Sequence, residues 1–293
     1  MSTALTQALL YTVPPVAIDA GRLLRAHWRA RGVRRIIQAN AAWQDRYAGR
    51  RVFVLGNGPS LGDFDRSVLA GEKVVVMNNF HLSPWKDEVD IVAHCIAEHR
   101  AAPSWDDDEF RASIDGTDSA SYWLDISSHG ELGPVTPGKQ LHYVLPAYEP
   151  GLWRAQSFAL QGSTLSYQTT AQLAIQVAIH MGFKEVLLVG FDHDWLASRD
   201  YLRHFYASTK DRTDVLGRMR YLEIINFMRR MWTIYYEMRR TAERAGVRIL
   251  NLSSTTCLDV FERRDASSYL VPPQPAGVPA GGASDRSVTI APV

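Results

Sequence analysis

Apolar positions along the chain fall into short runs and longer periodic stretches. Arg51-Val-Phe-Val-Leu55 runs into a glycine turn and predicts a buried strand. Val74–Met77, after a turn at Gly71, and Asp90–Ile96 predict a second and a third. Trp105 followed by Asp106, Asp107 and Asp108 reads as a helix start or a solvated loop, and Tyr122–Ile126 as a strand. Gly130–Pro150 is rich in Gly and Pro and reads as loop. Between Thr169 and Met181, the residues Leu173, Val177 and Met181 recur at every fourth position, with Ile175 and Ala178 widening the stripe. This predicts an amphipathic helix that Gly182 ends. Lys184–Val189 is then a buried strand, Tyr221–Ala245 a long helix and Val247–Leu252 a final strand. Strands alternating with helices predict an α/β fold, a Rossmann-like, doubly wound and mostly parallel sheet. Three regions follow: a basic helical arm over 1–49, the α/β domain over 50–265, and a disordered Pro/Gly/Ala-rich tail over 266–293.

Charge changes this picture more than composition does. The net charge of +1 conceals a segment, 21–51, with nine arginines and one acid, about +8, whereas residues 52–293 sum to −6. Within the arm, Ala20–Ala30 reads as a helix in which Leu23, Leu24 and Trp28 are interleaved with arginines. Two readings stay open: a helix on an anionic membrane surface, or one packed on the body with its arginines in water. No nucleic-acid recognition motif accompanies the arginines. The apolar stretch Ala4–Ile18 is interrupted by Pro14-Pro15 and lacks the basic start and cleavage site of a signal peptide. Cys95 and Cys257 form no metal or disulfide pattern and read as buried thiols in a reducing compartment. Localisation is therefore expected to be cytoplasmic, peripheral to the inner face of the membrane if the arm binds lipid.

The densest candidate chemistry is Gly56-Asn-Gly-Pro-Ser-Leu61, at the carboxyl end of the first strand. Two glycines let backbone approach a ligand, and free N–H groups of the turn and of a following helix favour phosphate. The string is neither a dinucleotide fingerprint nor a Walker loop, and a tight turn without ligand is the plain alternative. Asp192-His-Asp194 presents two carboxylates as a metal-binding pair would, or as a hydrogen-bond network at the sheet end would. His94, near the end of the third strand, lines a substrate or metal site or is a satisfied core histidine. His180 on the predicted helix is structural. Trp232, Tyr235 and Tyr236 on the long helix read as core, and Arg229, Arg230, Arg239 and Arg240 as a solvated face.

Gly56-Asn-Gly-Pro-Ser-Leu61, Thr169-Thr-Ala-Gln through Met181-Gly-Phe-Lys-Glu to Gly190-Phe-Asp192, and Ala245-Gly-Val-Arg-Ile-Leu-Asn-Leu-Ser253 together carry a family resemblance. The chain resembles, over about 50–264, the MptE-like proteins (the motility-associated factor, or DUF115, type) and the bacterial sialyltransferases of the Campylobacter type. The resemblance implies a sialyltransferase-like fold and a donor site made by Gly56, Asn57, Gly58, Pro59 and Ser60 with Asn78, Thr169, Thr170 and Asp192. It also implies a phosphate-holding tyrosine near Tyr201 and a histidine base, for which His204 is the candidate. Asp194 stands where those sialyltransferases carry another tyrosine.

What the resemblance implies is a glycosyltransferase taking a CMP-, UDP- or GDP-linked sugar and acting on a surface glycan, a lipid-linked glycan or a protein, with 193–218 as a lid. A 6-hydroxymethylpterin diphosphokinase-like phosphotransferase using ATP and magnesium is the alternative that the family name suggests. A non-catalytic nucleotide-binding scaffold recruited by the arm is the third.

Overall fold

The computed structural model describes residues 13–97, 107–130, 138–148, 158–194 and 220–270. Nine strands form one sheet, and every pairing among the described residues is parallel. In chain order they are β1 (Arg51–Leu55), β2 (Lys73–Met77), β3 (Asp90–Ile96), β4 (Tyr122–Asp125), β5 (Leu141–Tyr148), β6 (Ser163–Leu165), β7 (Glu185–Val189), β8 (Arg248–Asn251) and β9 (Glu262–Arg263). The spatial order is β6-β5-β4-β3-β2-β1-β7-β8-β9. The chain thus winds outward from β1 to β6, returns to the centre at β7, and winds out the other way. The α/β, Rossmann-like, doubly wound reading holds, and its switch point lies between β1 and β7.

The helices are α1 (Pro15–Gln38), α2 (Asp107–Asp115), α3 (Thr170–His180), α4 (Tyr221–Arg244) and the short α5 (Ala266–Tyr269). The central strands are apolar throughout because both faces are covered. Val52 and Val54 of β1, with Val186 and Leu188 of β7, point to the layer containing Trp43, α3 and α4. Phe53, Leu55, Leu187 and Val189 point to the other layer, against Leu61, Phe64, Phe80 and Trp85. Between β2 and β3 the register slips at Val74/Val75, so one extra residue of β3 is accommodated there.

Helix α3 ends at Gly182, in the left-handed region at φ +89°. It is buried almost all round rather than amphipathic, lying between the sheet and α4. Its two glutamines are compatible with that position because both are satisfied. Gln172 Nε2 donates to the Met231 carbonyl at 2.9 Å and its Oε1 accepts from the Gln168 N–H at 2.8 Å. Gln176 Nε2 donates to the Leu165 carbonyl at 3.1 Å while its Oε1 accepts from Thr164 Oγ1 at 2.6 Å.

Four further expectations are corrected. Gly130–Pro150 is not loop throughout, since it contains β5. The β-prone run Leu141–Leu145 outweighs the neighbouring Gly138 and Pro146, and Pro146 sits where the β5–β6 register shifts, a place that tolerates a missing donor. No α-helix follows the Gly56–Ser60 turn: two short 3₁₀ turns, Pro59–Asp63 and Arg66–Leu69, occupy that position. Cys257 is exposed, on the loop whose inward residues are Leu258 and Val260, whereas Cys95 is buried. On α4, Tyr235 is core, Trp232 is half-buried with its Nε1–H on Asp259, and Tyr236 faces solvent.

The arm is continuous with the body. Asn40, fully buried, donates through Nδ2 to the carbonyls of Tyr143 and Leu160, both at 2.8 Å, and its own carbonyl accepts from His180 Nε2 at 2.9 Å. Backbone bonds from Asp45 to His180 and from Tyr47 to Met181 continue the seam.

β1 and β7 meet at glycine. A Cβ on Gly56 would collide with the Gly190 carbonyl, and one on Gly58 would stand 2.6 Å from Asp192 Cγ. Gly56→Ala is expected to destabilise the fold by about 2–3 kcal/mol in urea unfolding, because backbone rather than a flexible side chain must yield. Gly62→Ala, with nothing within 4 Å of its added Cβ, is the control and should stay within about 0.5 kcal/mol.

Candidate functional site

The strand ends assemble the predicted residues in sequence order across the carboxyl edge. Gly56 N–H donates to the Val189 carbonyl at 2.7 Å and Gly58 N–H to the Gly190 carbonyl at 3.0 Å, so the two loops at the switch point are sewn together. Ser60 extends the seam: its N–H donates to Asp192 Oδ2 at 2.9 Å and its hydroxyl donates to Oδ1. Both carboxylate oxygens of Asp192 are therefore engaged. Burial raises the carboxyl's pKa, the Ser60 bonds oppose that, and the charges of Asp194 and Asp63 add to the rise. The glycines' immediate work is to let β1 and β7 approach.

On the β2 side of this seam sit the two asparagines. Asn57 Nδ2 donates to the Met77 carbonyl at 3.4 Å, while its Oδ1 is buried with no hydrogen-bond partner. Asn78 adopts φ +50°, a left-handed conformation that asparagine tolerates, and its Oδ1 is likewise buried and unpaired. Its backbone is fixed from beneath: its N–H donates to the Cys95 carbonyl at 2.9 Å. Its carbonyl is bonded by His94 Nε2 at 2.7 Å and Ser113 Oγ at 2.6 Å. His94 is fully buried, and burial lowers its pKa to about 4, so the ring is neutral. It supports Asn78 from inside the core.

Helix α3 brings its N-terminus to the same edge. Thr169 caps it by accepting from the Gln172 N–H at 3.4 Å, and Thr170 Oγ1 accepts from the Ala97 N–H at 3.3 Å, tying the end of β3 to the helix. The Thr170 hydroxyl keeps its own proton to donate, whereas that of Thr169 is engaged with Tyr235. Nearby, Tyr167 donates to Asp125 at 2.7 Å. Sequence order thus becomes spatial order: Asn57, Asn78 and the α3 N-terminus lie together on one side of the Ser60–Asp192 seam.

Sequence reasoning passed over His193. It is buried at φ +51°, lies parallel to the Phe191 ring at 5.9 Å, and its Nε2 accepts from the Tyr235 hydroxyl at 2.8 Å. Tyr235 also bonds Thr169, so the β7 loop, α4 and the α3 cap share one network. Its only sequence signal was its place between two aspartates. Asp194 is half-buried, and among the described residues no group of three or more His, Cys, Asp or Glu is arranged to hold a metal ion. Tyr201, His204 and nearly all of the expected lid lie outside the described residues.

On the other side of the seam is a cavity of about 800 Å³, bounded by Ser60, Phe64, Leu252, Ser253, Arg263 and Leu270 among others. Of the donor-site residues that the resemblance implies, Ser60 alone borders it.

No protein-family model matches the chain, and no curated protein matches it. Among solved structures it is similar to the MAf glycosyltransferase from Magnetospirillum magneticum AMB-1, with a TM-score of 0.46 and 14% identity, over 80% of this chain and 38% of that one. It is also similar to the sialyltransferase CstII from Campylobacter jejuni in complex with cytidine-5'-monophosphate, with a TM-score of 0.44 and 14% identity, over 74% of this chain and 85% of that one. The chain thus spans under two fifths of the length of the first. The fold is read from the sheet itself.

His193 has a consequence for acid stability. Burial lowers its pKa to about 4, as it does for His94 and His142. An unfolded chain protonates these rings near 6.5, so unfolding takes up protons between about pH 4 and 6.5. Stability present above that window is lost as pH falls through it. His193→Gln should reduce the slope there by one proton, roughly 1.4 kcal/mol per pH unit, in urea titrations across the window.

Proposed function

We propose that this chain is a glycosyltransferase that takes its sugar from a nucleotide-linked donor bound at the carboxyl edge of the sheet, on the β2 side of the switch point. One observation carries the reading: two unpaired, buried amide oxygens, those of Asn57 and Asn78, beside the N-terminus of α3. A helix N-terminus supplies N–H donors and positive potential to phosphate. Amide oxygens are acceptors and want hydroxyl or amino groups. A ligand that joins phosphate to hydroxyl-rich rings satisfies both halves, whereas a bare anion satisfies one. The buried oxygens also mean that binding recovers the penalty of leaving them unpaired, about 1–3 kcal/mol each.

In this reading the Gly56–Ser60 loop shapes the floor, with Pro59 setting its exit and Asp192 locking it through Ser60. Asn57 and Asn78 hold hydroxyl or base-edge groups, Thr170 donates toward phosphate, and Thr169, its hydroxyl bonded to Tyr235, borders the phosphate as the cap of α3. Tyr201 steadies the leaving group and His204 accepts the acceptor hydroxyl's proton. His94 and His193 keep Asn78 and Thr169 in position, and Asp194 lies beside the reacting sugar. The acceptor is a surface glycan, a lipid-linked glycan or a protein. The leaving nucleotide is stabilised by fixed dipoles, which is where such sites place most of their catalytic power.

Thermal shift with CMP, UDP, GDP and ATP tests the donor class. A cytidine, uridine or guanosine nucleotide should raise Tm in proportion to its concentration over Kd, and an ATP response that depends on magnesium would instead support phosphoryl transfer. Asn57→Ala should weaken the best nucleotide at least about tenfold with the protein still folded. His204→Ala should leave nucleotide affinity within about twofold and reduce sugar transfer by about 10²–10⁴-fold. Undiminished transfer would remove His204 as the base.

A further inference from the structure

The outward face of α1 takes no part in the proposed site. The helix rests on β5 and β6, and Ala26 and Ile37 are its buried contacts. At 3.6 residues per turn, the face opposite those two carries Leu24 and Trp28 one turn apart, then Arg31 and Arg35, with Arg25 at the margin. Leu24 is 66% exposed and Trp28 73%. Arg25, Arg31 and Arg35 are exposed as well, and none forms an ion pair with a described carboxylate. A helix whose role ends with packing turns its large apolar side chains inward. This one holds a tryptophan and a leucine outward between guanidinium groups.

We propose that α1 docks the protein on an anionic lipid surface, with Leu24 and Trp28 entering the headgroup region and Arg25, Arg31 and Arg35 meeting lipid phosphates. The pairing of chemistries selects this occupant. Tryptophan and leucine gain from the apolar margin of a bilayer, the indole N–H stays at the polar boundary, and each nearby arginine adds to the attraction. The charge division orients the molecule, since segment 21–51 is about +8 and residues 52–293 are −6. A second copy meeting the same face would set arginine against arginine. Among the described residues no helix is long and apolar enough to cross a membrane, so the contact is with the surface.

Arg29, next to Trp28, is close enough to Tyr167 for its charge to act on that hydroxyl, and Tyr167 bonds Asp125 at the carboxyl end of β4. The docking turn therefore adjoins the edge that carries Asn57 and Asn78. If the glycosyltransferase reading holds, on which this step alone rests, a lipid-borne acceptor would be presented to the site.

Flotation of the full chain with vesicles of phosphatidylcholine, alone or mixed with phosphatidylglycerol, tests the proposal. The protein should float with the anionic vesicles and not with the neutral ones. About 0.5 M salt should weaken binding at least tenfold. Leu24→Ser with Trp28→Ser, and separately Arg25→Glu with Arg31→Glu and Arg35→Glu, should each lower binding at least about tenfold. Their Tm and nucleotide-induced shift should be unchanged. Failure of the unaltered chain to float, or full binding by the Leu24/Trp28 variant, would overturn the proposal. So would a concentration-dependent dimer that the Leu24/Trp28 variant dissolves, because the face would then belong to a second copy. The nucleotide shift reads the catalytic reading independently of these outcomes.

Discussion

The close crossing of β1 and β7 is the constraint on which the rest depends. Their carboxyl ends approach so nearly that Gly56 and Gly58 have no room for a Cβ. The backbone bonds from Gly56 to Val189 and from Gly58 to Gly190 are made possible by that approach. Ser60 and Asp192 then complete the seam with hydrogen bonds to both carboxylate oxygens. In most doubly wound folds the switch point is an open crevice. Here it is closed at its centre, which leaves two separate regions: the edge with Asn57, Asn78 and the α3 N-terminus, and the cavity toward β8 and β9.

Helix α3 translates the interior into that edge. It is held by apolar contacts and by two glutamines that each bond through both the amide nitrogen and the amide oxygen, so its N-terminus has a fixed place. Neutral histidines do similar work. His94 bonds the Asn78 carbonyl and His193 the Tyr235 hydroxyl, which itself bonds Thr169. Burial keeps both rings uncharged, and buried neutral groups position their neighbours without the cost of burying an ion. The edge is thus preorganised by groups that need not touch a ligand.

The central strands were legible because parallel strands covered on both faces read as continuous apolar runs, and β1, β2, β3 and β7 do so. β5 and β6 were obscured because Gly138, Pro146 and polar Ser163 and Thr164 suggest loop. Only their pairing with β4 and with each other makes them strands. The Gly56–Ser60 loop was legible as a motif, but the reason for its glycines was not: their neighbour is Gly190, more than a hundred residues away. A helix after the loop was expected from the phosphate-binding pattern, and Pro59 followed by Gly62 yields a 3₁₀ turn instead. His193 escaped notice because its partner, Tyr235, is set by tertiary packing alone. The outward direction of Leu24 and Trp28 was equally hidden, since periodicity marks a stripe without saying which stripe meets the body.

The proposed nucleotide sits on the β2 side of the seam. Hydrogen exchange of the protein with and without its preferred nucleotide tests this most directly, because protection maps to segments rather than to the whole molecule. Exchange should slow at 56–60, 77–79 and 168–172, with 252–267 unchanged. Protection confined to 252–267, the lining of the cavity beyond the seam, would contradict it.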